Sequence, residues 1–146
     1  MNKSDLEILL VEDNPDDAAL AIRALKKQNL ANKLVHLKNG VEALEFIFGK
    51  NEESVLSPEN QPRVILLDLK MPKIDGMEVL AKLKSDPRTK SIPVVILTSS
   101  AEDPDIKKCY ELGANSYIVK PVEFDNFSKT VVDLGFYWML MNQVSK

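Results

Sequence analysis

Near its middle the chain contains the run Val64-Ile65-Leu66-Leu67-Asp68-Leu69-Lys70-Met71. Its four consecutive aliphatic residues are typical of a short strand that is covered on both faces. Similar runs occur at residues 8–11, 34–37, 94–97 and 117–119, and helical patterns separate them. Short strands that alternate with helices predict an α/β domain with a parallel sheet.

The helical segments have recognisable end signals. Asn14 precedes Pro15 and two aspartates, an order that favours a helix start at this point. An apolar stripe follows in this first helix, and comparable patterns predict a second, a third and a fourth helix, the fourth ending at Gly113. A last helix is expected to begin near Glu123, and residues 49–63 are predicted to form a polar surface loop. The first stripe consists of Ala18, Ala21, Ile22 and Leu25; residues in the fourth pattern are Ile106, Cys109, Tyr110 and Leu112.

The composition limits the possible functions. The chain has 146 residues, 45% of them hydrophobic and 28% charged, which predicts one globular domain over residues 1–146. A net charge of −3 provides no general basic surface for nucleic acid or membrane. No apolar run is long enough for a membrane span or a signal peptide, so we expect a cytoplasmic protein. A single cysteine and a single histidine exclude an internal disulfide and a Cys/His zinc site.

Acidic side chains follow two of the predicted strands. Glu12 and Asp13 come after the first strand and Asp68 after the third. Ligands of open α/β sheets bind beyond the carboxyl ends of adjacent strands, so these carboxylates are expected within a few ångströms of one another. Two such charges about 4 Å apart repel by roughly 4 kcal/mol at an effective dielectric of 20, and Mg²⁺ is the natural counter-ion. Each residue alone is also explained as a solvated side chain in a strand-end turn.

Two further polar residues end predicted strands. Thr98 ends the fourth strand and Lys120 ends the fifth. A hydroxyl and an ammonium at the same edge are suited to holding phosphoryl oxygens. Strand propensity explains Thr98 alone, and a solvated surface charge explains Lys120 alone, so the prediction of a site depends on their combination with the carboxylates.

As an ordered set, four motifs resemble the receiver domain of CheY-like response regulators. The resemblance covers essentially the whole chain, and it implies a flavodoxin-like (βα)5 doubly wound parallel sheet with strand order 2-1-3-4-5 and helices on both faces. The motifs are Ile8-Leu9-Leu10-Val11-Glu12-Asp13-Asn14, Leu66-Leu67-Asp68-Leu69-Lys70-Met71-Pro72-Lys73-Ile74-Asp75-Gly76, Ile96-Leu97-Thr98-Ser99 and Tyr117-Ile118-Val119-Lys120-Pro121.

The resemblance assigns roles to the acidic residues. It implies that Asp68 accepts a phosphoryl group from a partner histidine kinase in a two-component phosphorelay. Mg²⁺ would be held by Asp13, Asp68 and the main-chain carbonyl of Lys70, with Glu12 acting through water. The protein would be a phosphorylation-controlled signalling switch rather than an enzyme. Asp68 would take part in phosphotransfer and in autodephosphorylation.

The resemblance also assigns the remaining site residues. Lys120 would pair with a phosphoryl oxygen, and Thr98 would turn its hydroxyl towards the phosphate. Tyr117 would change rotamer in response, and Pro121 would follow a cis peptide bond. Phosphorylation would thereby shift the populations of two conformations and switch a protein-interaction surface.

Other functions remain open at this point. A Mg²⁺-dependent phosphatase of the haloacid-dehalogenase type would carry a second Asp where this chain has Lys70. A flavin- or nucleotide-binding domain would carry Ser, Thr and Gly where Glu12 and Asp13 stand. A phosphorylation-independent receiver is disfavoured because all five site positions are filled.

His36, on the predicted second strand away from the acidic edge, is interpreted as structural rather than phosphorylated, and Cys109 as a packing residue. The Lys70 side chain either faces the mouth of the site and affects the phosphate lifetime or is simply solvated. The 49–63 loop either contacts a kinase or is a passive surface insertion.

The end of the chain suggests a protein partner. The 26 residues after Lys120 leave no room for a DNA-binding output domain and predict one extended helix. Residues 136–141 are apolar on all sides, so we predict a homodimer through this helix, the fourth helix and the fifth strand; the alternative is intramolecular packing of the tail. The ending resembles single-domain regulators paired with phytochrome-type histidine kinases. Candidate interface residues are Ala114, Tyr117, Val131, Leu134, Trp138 and Met141.

Overall fold

The computed structural model describes residues 8–27, 34–49, 56–57, 60–71, 74–98 and 103–119. Strands and helices alternate along them, as the sequence predicts. The elements are β1 (Ile8–Val11), α1 (Pro15–Lys27), β2 (Leu34–Leu37), α2 (Gly40–Phe48), β3 (Val64–Asp68), α3 (Gly76–Ser85), β4 (Val94–Thr98), α4 (Asp103–Leu112) and β5 (Ser116–Val119).

The five strands form one parallel sheet in the order β2-β1-β3-β4-β5, which confirms the predicted topology. The inner strands β1 and β3 are buried along their whole length, whereas β2 at one edge is half-buried. This distribution follows from composition, because near-continuous aliphatic runs suit strands that are covered on both faces.

Side chains of the sheet alternate between two cores. Leu9, Val11, Ile65 and Leu67 belong to a core that includes residues of α2, α3 and α4. The intervening strand residues, Ile8 among them, belong to a second core that includes the stripe of α1. Successive residues of a strand face opposite sides, so a sheet with apolar residues at every position requires helices on both faces.

Hydrogen-bonding side chains begin three helices. The Asn14 Oδ1 accepts from the backbone N–H groups of Asp16 and Asp17, at 2.9 and 3.0 Å, which confirms the predicted start of α1. Asn39 caps α2 in the same way, accepting from the Glu42 N–H at 2.9 Å. Asp75 caps α3. These caps satisfy N–H groups that have no partner within the helix, and they fix where each loop ends.

Two sequence predictions need correction at the level of single residues. Asp68 is the last residue of β3 rather than the first residue after it, because the ladder pairs Asp68 with Leu97, whereas Thr98 ends β4 as predicted. Tyr110 was expected in the apolar stripe of α4 but is 49% exposed. In that helix Cys109 takes the buried position, with no exposed surface.

Part of the predicted 49–63 loop lies within the described residues. The side-chain amide of Gln61 donates to the carbonyl oxygens of Leu56, at 3.0 Å, and Arg88, at 2.8 Å, which ties the loop to the turn after α3. The predicted last helix lies outside the described residues. Among the helices that the structure describes, none is long and apolar enough to cross a membrane.

Candidate functional site

The carboxyl ends of β1 and β3 lie side by side and carry the acidic residues. The two strands are neighbours, and their register pairs Val11 with Leu67. The residue that follows this pair is acidic in both cases: Glu12 after Val11 and Asp68 after Leu67. The juxtaposition therefore follows from pairing of the two aliphatic runs, which sets the positions of the residues that come next.

The carboxylates of Glu12, Asp13 and Asp68 form a compact cluster. One oxygen from each lies within 4.8 Å of the other two. Glu12 is 2% and Asp68 5% exposed, while Asp13 is open to solvent. At this separation two unit charges repel by about 3.5 kcal/mol at an effective dielectric of 20. Hard oxygen donors gathered in this way fit a small divalent cation such as Mg²⁺.

Three hydrogen bonds fix the position of Glu12. Its backbone N–H donates to the Leu37 carbonyl at 3.0 Å, and its own carbonyl lies 2.9 Å from the His36 Nε2. The Asn14 N–H donates to the Glu12 Oε2 at 3.3 Å. The turn between β1 and α1 is therefore held by β2 on one side and by its own backbone on the other.

His36 lies at the acidic edge, contrary to the prediction that it would be remote from it. The β1–β2 register places His36 opposite Leu10, and its ring reaches the Glu12 carbonyl two residues further along β1. A backbone hydrogen bond is consistent with the structural role predicted for this histidine. The length of the side chain, rather than the position of its backbone, brings the ring to the site.

The loop after Asp68 packs closely against the backbone of that residue. The Gly76 N–H donates to the Leu69 carbonyl at 2.7 Å. A Cβ on Gly76 would overlap the Asp68 carbonyl oxygen and lie 2.6 Å from the Leu69 Cα. Leu69 and Met71 are buried, whereas Lys70 is exposed. The loop is thus anchored by alternate residues, with the Lys70 side chain directed away from the core.

The first residue of α2 makes a second close approach to this loop. A Cβ on Gly40 would lie 2.5 Å from the Ile74 carbonyl oxygen and 3.0 Å from the Val79 Cγ2. The start of α2 therefore packs closely against Ile74 and against α3. Neither glycine is predicted as a site residue from the sequence; the available signal is the position of each directly after a capping side chain, Asn39 or Asp75.

The other predicted site residues are only partly described. The backbone of Thr98 ends β4, adjacent to the strand that carries Asp68. Tyr117 is half-buried and packs against the core beneath α2, α3 and α4. Ala114 is 9% exposed. The Thr98 side chain lies outside the described part of the structure, as do the residues Lys120, Pro121, Val131, Leu134, Trp138 and Met141.

Comparison with known families gives a match over most of the chain. The family model for the response regulator receiver domain matches residues 8–132. The chain is 38% identical over 136 residues to the probable methanogenesis regulatory protein FilR2 of Methanothrix harundinacea, covering 93% of this chain and 85% of that protein. It is 40% identical over 134 residues to response regulator Rcp1 of Synechocystis sp., covering 90% and 88%.

Solved structures give the same result. The bacteriophytochrome response regulator AtBRR is 48% identical, with a TM-score of 0.71 and coverage of 90% of this chain and 94% of that one. The Mn²⁺-bound form of Rcp1 is 37% identical, with a TM-score of 0.75 and coverage of 91% and 94%. Similarity in sequence and in fold to these two structures thus extends over about nine tenths of the chain.

Proposed function

Because the chain belongs to the response-regulator receiver family, we propose that it is the phosphoacceptor of a two-component phosphorelay. Asp68 is the residue that receives the phosphoryl group. The observation that carries this proposal is the position of its carboxylate, 5% exposed and within 4.8 Å of oxygens from Glu12 and Asp13. A nucleophile at the end of a buried strand is held in one place while the incoming group approaches from the open end of the sheet.

The donor set of the cluster fits Mg²⁺. We assign its ligands to Asp13, Asp68 and the main-chain carbonyl of Lys70, with Glu12 contributing through water. When bound, the ion neutralises negative charge on the transferring phosphoryl group. The Mn²⁺-bound structure of Rcp1 supports a divalent cation in a related protein.

The transfer step follows from the chemistry of the carboxylate. An Asp68 oxygen forms a bond to phosphorus while the bond from phosphorus to a histidine nitrogen of the partner kinase breaks. The departing imidazole keeps the electron pair and takes up a proton. In the proposed mechanism the Lys120 ammonium pairs with a phosphoryl oxygen. Hydrolysis of the acyl phosphate returns Asp68 to its carboxylate form, so the protein acts as a reversible signalling switch.

Phosphorylation of Asp68 adds charge beside the end of β4. We propose that the Thr98 hydroxyl turns towards the new phosphate oxygens and that Tyr117 changes rotamer as the β4–α4 region follows. Tyr117 packs against the core beneath α4, so its movement is expected to alter the surface of α4 and β5. That surface, together with the last helix, is the proposed homodimer interface.

The partner is proposed to be a sensor histidine kinase of the phytochrome type. The support is the similarity to the bacteriophytochrome response regulator AtBRR. A cytoplasmic location and a single receiver domain over residues 1–146 are part of the same proposal. FilR2, named as a probable methanogenesis regulatory protein, is also similar to this chain, so the similarity is not confined to phytochrome-linked regulators and a sensor kinase of another class is the competing partner. Phosphotransfer from purified kinases of both classes, compared at short incubation times, tests the choice: faster transfer from a non-phytochrome kinase contradicts it.

Intact mass after incubation with acetyl phosphate and Mg²⁺ tests the phosphoacceptor. We expect one phosphoryl group on the wild-type chain, released by hydroxylamine, and none on Asp68→Asn. Asp16→Asn is the matched control, because it removes an exposed carboxylate of α1 outside the cluster and should leave labelling unchanged. Absence of label on the wild type, when a known receiver is labelled in parallel, would contradict the proposal.

A further inference from the structure

His36 has a specific contact that the proposed chemistry does not use. Its Nε2 lies 2.9 Å from the carbonyl oxygen of Glu12. We propose that His36 is a positioning residue for the cation site, holding the peptide that joins Glu12 to Asp13. This inference rests on the proposed function, because it takes these two acidic residues as part of the Mg²⁺ site.

The chemistry of the contact determines which ring nitrogen carries hydrogen. A carbonyl oxygen only accepts hydrogen bonds, so Nε2 must donate. In the neutral ring this places the single hydrogen on Nε2 and leaves Nδ1 as an acceptor. The hydrogen bond therefore selects one tautomer of His36, and that tautomer can be measured.

The peptide between Glu12 and Asp13 is held from one side by β2. The Glu12 N–H donates to the Leu37 carbonyl at 3.0 Å, and the His36 Nε2 donates to the Glu12 carbonyl at 2.9 Å. The Glu12 carbonyl and the Asp13 N–H belong to one planar unit, so a bond to the carbonyl also fixes the direction in which the chain enters Asp13. The N–H and the carbonyl of Glu12 are thus both held by β2 before any cation binds.

This restraint opposes the repulsion within the cluster. Glu12, Asp13 and Asp68 have oxygens within 4.8 Å of one another, and Asp13 is on the solvent side, where the turn can move outwards. Without the ring, the Glu12–Asp13 peptide loses one of its restraints, and the Asp13 carboxylate can move further from the others. Outer residues that orient metal ligands typically change affinity about 10- to 100-fold when they are removed.

The tautomer of His36 tests the hydrogen bond directly. His36 is the only histidine of the chain, so long-range ¹⁵N–¹H spectra of the untagged protein contain one imidazole and need no assignment. We expect the Nε2–H form without added metal, and a shift of the ring resonances when Mg²⁺ is added. An Nδ1–H form, or ring resonances that do not respond to bound Mg²⁺, would overturn the proposal.

Calorimetric titration with Mg²⁺ tests the positioning role. His36→Phe keeps a ring but has no donor, and we expect its affinity to fall about tenfold. His36→Gln offers an N–H in a similar place and should recover most of the affinity. Leu34→Ala is the matched control: it removes apolar packing from the same face of β2, should lower stability, and should leave Mg²⁺ affinity at the wild-type value.

The outcomes separate this inference from the proposed function. If the wild type binds Mg²⁺ and His36→Phe binds it equally well, the positioning role is wrong while the cation site stands. An equal loss of affinity in Leu34→Ala would also overturn it, because the effect would then reflect general destabilisation. If the wild type binds no Mg²⁺, the proposed cation site fails and the positioning role fails with it.

Discussion

Gly76 shows how a residue without a side chain shapes the candidate site. A Cβ at this position would overlap the carbonyl oxygen of Asp68 and lie within 2.6 Å of the Leu69 Cα. Both obstacles are backbone atoms, which cannot move aside as a flexible side chain would. We therefore predict that Gly76→Ala lowers the free energy of unfolding by about 3 kcal/mol, as measured by urea titration.

The control for this substitution lies on the same helix. Glu78 is exposed in the first turn of α3, and Glu78→Ala should change stability by less than about 1 kcal/mol. If Gly76→Ala also forms less acyl phosphate in the mass assay, then the close packing of α3 holds Asp68 in its reactive position. Wild-type stability in Gly76→Ala would contradict the packing described here.

Cys109 provides a second prediction for a single residue. Burial raises the pKa of its thiol to about 11, and the Asp105 carboxylate adds to the shift. The thiolate is the reactive form, and on the order of a thousandth of the native thiol is ionised at pH 8. We expect slow labelling of the native protein by a disulfide reagent at pH 8 and rapid labelling in urea, where the thiol has its ordinary pKa.

The pH dependence of stability has a defined sign for this thiol. Its contribution is fully present below the unfolded pKa of about 8.5 and is lost as the pH rises towards 11, because only the unfolded chain ionises in that interval. Unfolding midpoints between pH 7 and 10 should therefore fall more steeply for the wild type than for Cys109→Ala. Parallel slopes, or native labelling as fast as in urea, would contradict the raised pKa.

At the level of elements, the cap of α3 links helix stability to the loop after Asp68. The Asp75 Oδ1 accepts from the Glu78 N–H at 3.0 Å. We predict that Asp75→Ala costs about 1 kcal/mol of unfolding free energy, while Asp75→Asn stays close to the wild type because asparagine caps equally well. Thermal and urea unfolding measure both variants. An equal loss in the two would mean that the charge of Asp75, rather than its hydrogen bond, stabilises the helix.

The elements themselves were largely predictable from local patterns. Aliphatic runs gave the strands, and Asn14 gave the start of α1, because burial and capping depend on residues close in sequence. Strand ends were less accurate: Asp68 remains within the ladder because its backbone pairs with Leu97, whatever its side chain. Tyr110 was misplaced because aromatic residues satisfy an apolar pattern and also occur at the solvent side of a helix.

The candidate site was predictable to the extent that it follows from strand order. Residues at the carboxyl ends of adjacent parallel strands lie close together, so Glu12, Asp13 and Asp68 could be grouped from the sequence. The contact of His36 with the Glu12 carbonyl could not, because it depends on the β1–β2 register and on the reach of one side chain. Contacts of that kind are set by tertiary packing and leave no pattern in the sequence.

On the scale of the whole molecule, the acidic cluster is a consequence of the sheet. The backbones of β1 and β3 pair along aliphatic residues, and the carboxylates follow the last pair of that register, Val11 and Leu67. Folding therefore brings like charges together, and part of the free energy of the aliphatic core offsets their repulsion. A cation that binds only the folded state should reduce this repulsion and so raise the free energy of unfolding.

Calorimetric unfolding with and without Mg²⁺ measures this coupling. At a free concentration ten times the dissociation constant, binding to the native state adds about 1.4 kcal/mol, which corresponds to a rise in Tm of about 4 °C for a chain of this size. Asp13→Asn should reduce the rise because it removes one proposed ligand, whereas Asp16→Asn, outside the cluster, should keep it in full. Potassium chloride at the same ionic strength controls for screening of charge. An equal rise with potassium, or an undiminished rise in Asp13→Asn, would mean that the stabilisation comes from general screening and not from a cation held by the three carboxylates.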